Sequence, residues 1–259
     1  MEAVLCYAPY IAQPLRSTPV LRDVSCPAPQ CSICNQRALC LPGMTEDTAI
    51  GRVDRLVSAR RRIKRGEMLY RAGEPFKSVY AVRSGFFKTF AITDDGREQV
   101  TAFHMGGEMM GMDGVGGEHY RLHALALEDS EVCIVPFARL EELSCEVRSL
   151  QHQFHRLMSQ EIVRGQFVML LAGMRAEQRV AAFLLNLSQR FAARGYAANE
   201  FNLRMTREEI GNYLGLTLET VSRIFSRFQD SSHIEVQQKH VRLLDPGSLK
   251  KLLQQAQAA

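Results

Sequence analysis

Residues 205–223 read Met-Thr-Arg-Glu-Glu-Ile-Gly-Asn-Tyr-Leu-Gly-Leu-Thr-Leu-Glu-Thr-Val-Ser-Arg. Thr206 and Glu209 have the Thr-x-x-Glu spacing of a capping box, in which each side chain satisfies the other residue's free backbone N–H. Ile210, Tyr213 and Leu214 then share a helical face, and Gly215 stops the helix. Thr217 caps a second helix that runs to about residue 229. Two short helices joined by a Gly-containing turn form a helix-turn-helix. In such motifs the early residues of the second helix meet base edges in the major groove. Here those are Leu218, Glu219, Ser222 and Arg223, with Arg227 one turn on. Arginine bonds bidentately to guanine, glutamate accepts from cytosine N4, and a serine hydroxyl serves either. Glu219 and Arg223, at i and i+4, share a face and could read one G·C pair; as a plain exposed pair they would contribute only about 0.2–0.5 kcal/mol.

The flanking sequence builds a unit around this motif. Residues 176–193 form an amphipathic helix with Val180, Phe183, Leu184 and Leu187 inward, ended by Arg194-Gly195. Beyond the motif, residues 234–236 and 241–243 flank Gln-Gln-Lys-His as a small hairpin or wing. Upstream, residues 147–174 contain no proline and make a helix of about seven turns, long enough to bridge domains or to pair with its own copy. Its bulky stripe is Leu150, Phe154, Leu157, Glu161, Arg164, Val168 and Leu171, interrupted by two charges. A second stripe, His155, Met158, Ile162, Gly165, Met169 and Ala172, has none. The first is assigned to packing within the chain and the second to a symmetric dimer, with Met158, Ile162, Gly165 and Met169 at its centre.

Before that helix the period changes to two. Short β-like runs at 68–70, 79–82, 86–92, 99–103, 122–127 and 132–135 are separated by Ala-Gly-Glu-Pro, Ser-Gly, Asp-Asp-Gly and Gly-Gly turns. That regularity predicts a compact β-barrel or roll, preceded by a helix over about 45–58. No dinucleotide fingerprint, P-loop or nucleophile elbow occurs. Arg60-Arg-Arg-Ile-Lys-Arg65 looks like a nucleic-acid patch, but it ends at Gly66 and leads into an apolar run. A solvated edge balanced by nearby acids is the expectation there.

At 259 residues, 46% hydrophobic and 23% charged, the composition is globular and excludes wholesale disorder. The formal excess of +4 lies entirely in residues 175–259, which hold 12 Lys/Arg against 8 Asp/Glu, so an anionic partner is expected for that third. The longest uncharged apolar stretch in the body of the chain, 165–174, is too short to span a bilayer, and the proline-bearing start lacks a basic n-region. A cytoplasmic protein with no membrane partner is expected.

Seven cysteines occur: Cys6, Cys26, Cys31, Cys34, Cys40, Cys133 and Cys145. A tight cluster in a reducing compartment points to metal or redox chemistry. Cys31-x-x-Cys34-x5-Cys40 places three thiols on one short segment. An iron–sulfur cluster and a structural zinc site each want four ligands, and spacing does not choose between them. Read alone, Cys133 is a small residue on a strand, opposite Val132 and Ile134.

The 205–223 stretch resembles the winged helix-turn-helix of the Crp/Fnr regulators, most closely the Fnr branch, whose recognition signature is Glu-x-x-Ser-Arg. The likeness runs from about Cys31 to the end. It implies an α+β chain: an N-terminal tail with the cysteine cluster (1–44), a cyclic-nucleotide-binding-like β-roll sensor (45–146), a dimerisation helix (147–174) and a winged helix-turn-helix domain (175–259). Cys31, Cys34, Cys40 and Cys133, the last before Ile-Val-Pro-Phe, resemble the [4Fe-4S] ligand set of Fnr-type oxygen sensors. Cys26 is the nearest spare. By the same resemblance Thr206, Thr217, Leu218, Glu219, Ser222, Arg223 and Arg227 face DNA, on a palindrome with TTGAT-like half-sites that sets Ser222 beside a thymine. The implied function is a homodimeric, oxygen-responsive transcription regulator, not an enzyme. It would bind double-stranded DNA with a cluster in place, contact RNA polymerase and mainly activate anaerobic genes.

Relatives that bind cyclic nucleotides use Gly-Glu-Leu for the ribose and Arg-Ser/Thr for the phosphate. The corresponding residues are Gly111-Met112-Asp113 and Arg121-Leu122, so no cyclic nucleotide is expected. His104, His119 and His123 are read as plain surface residues rather than haem ligands. The rival readings are a regulator of the same fold with a zinc or thiol-redox cysteine site, and, less favoured, an iron–sulfur enzyme.

Overall fold

The structure, a computed structural model, describes residues 31–44 and 47–254. The expectations for the proline-rich start, and for Cys6 and Cys26, lie outside the described residues. A helix α1 (Asp47–Asp54) precedes eight strands: β1 (Ala59–Ile63), β2 (Met68–Tyr70), β3 (Ser78–Ser84), β4 (Phe86–Ile92), β5 (Glu98–Met105), β6 (Met109–Met110), β7 (His123–Ala126) and β8 (Ser130–Pro136). They form two antiparallel four-stranded sheets, ordered β1-β8-β3-β6 and β2-β7-β4-β5. Ile63, Tyr70, Val82, Phe87, Met110, Ala124 and Val132 fill the space between the sheets. The six runs with a period of two all become strands, because alternation puts every second side chain into that filling.

Two strands of the roll are not legible in the sequence. β6 has only two residues, and β1 carries Arg60, Arg61 and Arg62. β1 is an edge strand whose only buried side chain is Ile63, so it shows no alternation. Charges of the 60–65 run are balanced as expected: Arg61 of β1 meets Glu67, and Lys64 just after it meets Asp129.

Helix α2 (Phe137–Glu146) leads into the long α3 (Arg148–Ala172). Leu150, Phe154, Leu157 and Leu171 of its bulky stripe are buried within the chain. The second stripe is open: Ile162 is 60% and Met169 76% exposed, while Met158 is only half-buried. Val163 at 59% and Leu170 at 68% extend that apolar face beyond the residues the periodicity picked.

The C-terminal part comprises α4 (Ala176–Ala192), β9 (Glu200–Asn202), α5 (Arg207–Leu214), α6 (Leu218–Asp230), β10 (Ile234–Gln237), β11 (His240–Leu243) and α7 (Pro246–Gln254). The hairpin is as expected. β9, which adds a third strand to it, and α7, which buries Leu249, were not. This part rests on the second sheet. Phe103 of β5 packs its ring against Phe183 and Tyr213, and Lys88 pairs with Glu209 at 3.0 Å. Asn212 accepts from the Val100 N–H at 2.5 Å and donates to the Glu98 carbonyl, satisfying the free edge of β5.

Candidate DNA-reading face and cysteine cavity

Both caps of the helix-turn-helix form. Thr206 Oγ1 accepts from the Glu209 N–H at 3.1 Å while Glu209 accepts from the Thr206 N–H at 2.8 Å. Thr217 Oγ1 accepts from the Thr220 N–H at 3.2 Å. The turn between the helices is close-packed: Gly215 has φ +65°, and a Cβ on Gly211 would lie 2.6 Å from the Leu216 carbonyl oxygen. Glycine is therefore required at Gly211 by space and favoured at Gly215 by conformation. α6 buries Val221, Ile224, Phe225 and Phe228. That fixes which residues look outward: Leu218, Glu219, Ser222 and Arg223 are exposed, and so is Ser226 on the same stripe, a position the sequence reading left out. Arg227 differs from its neighbours because it pairs with Glu177 of α4. Arg207 lies 3.4 Å over the Phe225 ring, and burial lowers its pKa to about 10.

Arg223→Ala is expected to weaken specific DNA binding by about 1–3 kcal/mol and to relax preference at one G·C position of each half-site. Competition assays against single-base operator variants check this. A uniform loss with a shallower salt slope would make Arg223 a phosphate contact instead.

The second site joins residues far apart in the chain. Tight turns carry residues 31–44 across the roll: the Cys34 N–H donates to the Cys31 carbonyl at 3.2 Å, and the Arg37 N–H to the Cys34 carbonyl at 2.9 Å. Leu41 is buried beneath them. The Cys31 N–H donates to Asp54 of α1 at 2.5 Å, and Gln153 of α3 donates to the Cys40 carbonyl at 2.8 Å. Cys133, paired across β8 with Arg60 and Ala81, turns away from the roll interior that Val132 enters. Cys31, Cys34, Cys40 and Cys133 consequently line one cavity, with Arg37, Arg83, Leu56, Val57 and Val135 among its walls.

Burial and the Asp54 carboxylate push the Cys31 thiol up to about 12, and burial raises Cys40 and Cys133 as well. Among the described residues, no three His, Cys, Asp or Glu side chains are drawn close enough to hold a single metal ion. Cys145 is exposed and does not line this cavity.

Sequence reasoning missed a buried charge hub between the two halves. Glu108, in the turn after β5, accepts from Arg190 of α4 at 2.7 Å, from Arg194 just beyond that helix at 2.6 Å, and from the Met105 N–H at 3.1 Å. Arg164 of α3 stands 3.5 Å away. These arginines hold the Glu108 carboxyl far below the usual carboxylate range in spite of its burial. The only signal in the sequence was the pair of charges, Glu161 and Arg164, on an otherwise apolar stripe. Burial raises Glu161 to about 7 although Arg164 is beside it. His104 corrects an expectation: it is buried, not a surface residue, and hydrogen-bonds Thr89 at 3.2 Å. Burial lowers it to about 3, keeping the ring neutral.

A β-roll joined by a long helix to a capped, winged helix-turn-helix with an outward-facing second helix is the build of a DNA-binding transcription regulator. Residues 178–252 match the Crp-like helix-turn-helix domain, and residues 60–144 match the cyclic nucleotide-binding domain. The chain is 48% identical to the transcriptional regulatory protein btr of Bordetella pertussis, over 88% of this chain and 95% of btr. It is 49% identical to the transcriptional activator protein anr of Pseudomonas aeruginosa, over 85% and 90%. With the fumarate and nitrate reduction regulatory protein of Escherichia coli the identity is 43%, over 86% and 89%. The solved structure of FixK2 from Bradyrhizobium japonicum is similar at a TM-score of 0.70 and 32% identity, covering 76% of this chain and 98% of FixK2. The chain belongs to the Crp/Fnr family, as a transcription regulator of the Fnr type and not an enzyme. Among the described residues no helix is long and apolar enough to cross a membrane.

Proposed function

We propose that this regulator senses oxygen through a [4Fe-4S] cluster held by Cys31, Cys34, Cys40 and Cys133. The observation that carries this is the shared cavity: three thiols of one segment and a fourth about ninety residues on line the same space, with no imidazole or carboxylate among the described residues of its walls. An all-thiol set suits iron–sulfur chemistry, and zinc equally, so the iron–sulfur reading takes its support from the relatives named Anr and FnrA. Bound there, a cluster would supply oxygen-labile iron–sulfide chemistry. The four cysteines would tie residues 31–44 to β8, and Gln153 would pass that segment's position to α3.

In this reading residues 45–146 sense, 147–174 dimerise and 175–259 bind DNA. Two copies meet along the face bearing Met158, Ile162, Gly165 and Met169, joined by Val163 and Leu170. The paired α6 helices then read a palindrome of TTGAT-like half-sites with Glu219, Ser222 and Arg223. The dimer contacts RNA polymerase in the cytoplasm and activates anaerobic genes.

Iron and acid-labile sulfide analysis of anaerobically purified protein tests the site. Serine at Cys31, Cys34, Cys40 or Cys133 is expected to remove both, and serine at Cys6 or Cys145 to remove neither. Zinc without sulfide would establish the same-fold zinc regulator, and full iron and sulfide in Cys133→Ser would remove the fourth ligand from the proposal.

A further inference from the structure

Asp113 lies in a single helical turn, Met112–Gly114, entered through Gly111 at φ +83°. One of its carboxylate oxygens, Oδ2, accepts from two successive backbone amides, Arg121 N–H at 2.8 Å and Leu122 N–H at 2.9 Å. Successive amides converging on one point form an anion-binding concavity, the device by which loops hold phosphate oxygens. Such donors attract oxyanions because their partial positive charges add and need no reorganisation on binding. Here they are filled from within the chain.

Asp113 and Leu122 also wall an open cleft whose other side is α3, through Glu161, Arg164 and Gly165. Whatever fills the amide pair therefore shapes the surface next to the dimer helix. The sequence reading stopped at the missing carboxylate of Met112 and the missing hydroxyl of Leu122. The structure adds a carboxylate one residue later, aimed at the amides themselves.

We infer that Asp113 is a tethered anion: it occupies an oxyanion subsite of the sensor domain, fixing the turn in its filled form and excluding phosphate-bearing ligands. The domain then needs no diffusible anion to hold the wall facing α3. Removing the side chain opens a site for a tetrahedral oxyanion, and inorganic sulfate and phosphate are the probes.

The test is thermal unfolding of the full chain in sulfate, phosphate and chloride at equal ionic strength. Wild-type protein sets the general salt response of folding. Asp113→Ala is expected to melt roughly 5 °C lower in chloride, from the loss of two charge-assisted bonds. In sulfate or phosphate it should recover saturably, beyond the wild-type response. Asp113→Asn keeps an acceptor oxygen on the two amides but not the charge, so it should melt between wild type and Asp113→Ala and stay unresponsive to both anions. If Asp113→Ala fails to fold in chloride, its refolding yield in sulfate reads the same site, and no rescue there rejects the proposal. Equal responses in wild type and Asp113→Ala, or a melting point unchanged by Asp113→Ala, would also overturn it.

Discussion

Glu108→Ala is expected to destabilise the protein by about 3–5 kcal/mol, the cost of removing one partner from a buried ionic network. Arg164, Arg190 and Arg194 converge on that carboxylate, and the Arg194 side chain is as buried as Glu108 itself. Without it Arg190 and Arg194 lose their carboxylate, and Glu161 on Arg164 is the counter-charge that remains. The hub also joins the β-roll, α3 and the DNA-binding unit, so the loss falls on the packing between them. Denaturant unfolding measures it, as a lower midpoint. Glu108→Gln keeps the shape and loses the charge, and should lie between wild type and Glu108→Ala. The pH dependence follows from the depressed carboxyl. Its contribution is complete above the unfolded-state value of about 4.5 and is lost as pH falls toward the lower folded value. Below about pH 4.5 wild-type stability should therefore fall more steeply than that of Glu108→Gln. A Glu108→Ala midpoint equal to wild type would show that the hub contributes nothing.

Ile162→Glu is expected to abolish the dimer and lower operator affinity by about 100-fold or more, because linked half-site binding gains roughly 10²–10⁴ from avidity. Ile162, Val163, Met169 and Leu170 are large apolar side chains left in solvent along one helix, the mark of a covered surface. At a two-fold contact the substitution sets two like charges face to face. It touches nothing in the core, so the monomer should fold. Sedimentation of the anaerobic variant, with a gel-shift on the palindrome, checks both effects. A dimer of unchanged strength would assign this face to some other contact.

The DNA-reading unit was legible because its signals are local. A capping box, a stop glycine and an apolar repeat each depend on residues within about four positions, and Thr206, Glu209, Gly215 and Thr217 are placed as read. The strands from Met68 to Pro136, the two-residue β6 excepted, were legible for the same reason, since alternation is a property of neighbours. β1 was not, because an arginine-rich edge strand has no period to read.

For the candidate site, the sequence supplied the four cysteines, three by spacing and the fourth by resemblance. Their meeting in one cavity required β8 to be laid beneath residues 31–44. The sequence by itself thus determined the winged helix-turn-helix, the alternating strands, the long helix and the outward stripe of α6. Only the tertiary structure decided where Glu161 and Arg164 go, that Glu108 gathers α3 and α4, that His104 is buried, and that Asp113 fills two amides. The physical reason is desolvation. A charged or polar side chain enters the interior only when its partner arrives with it, and these partners come from other strands and helices, up to 86 residues away in the case of Glu108 and Arg194.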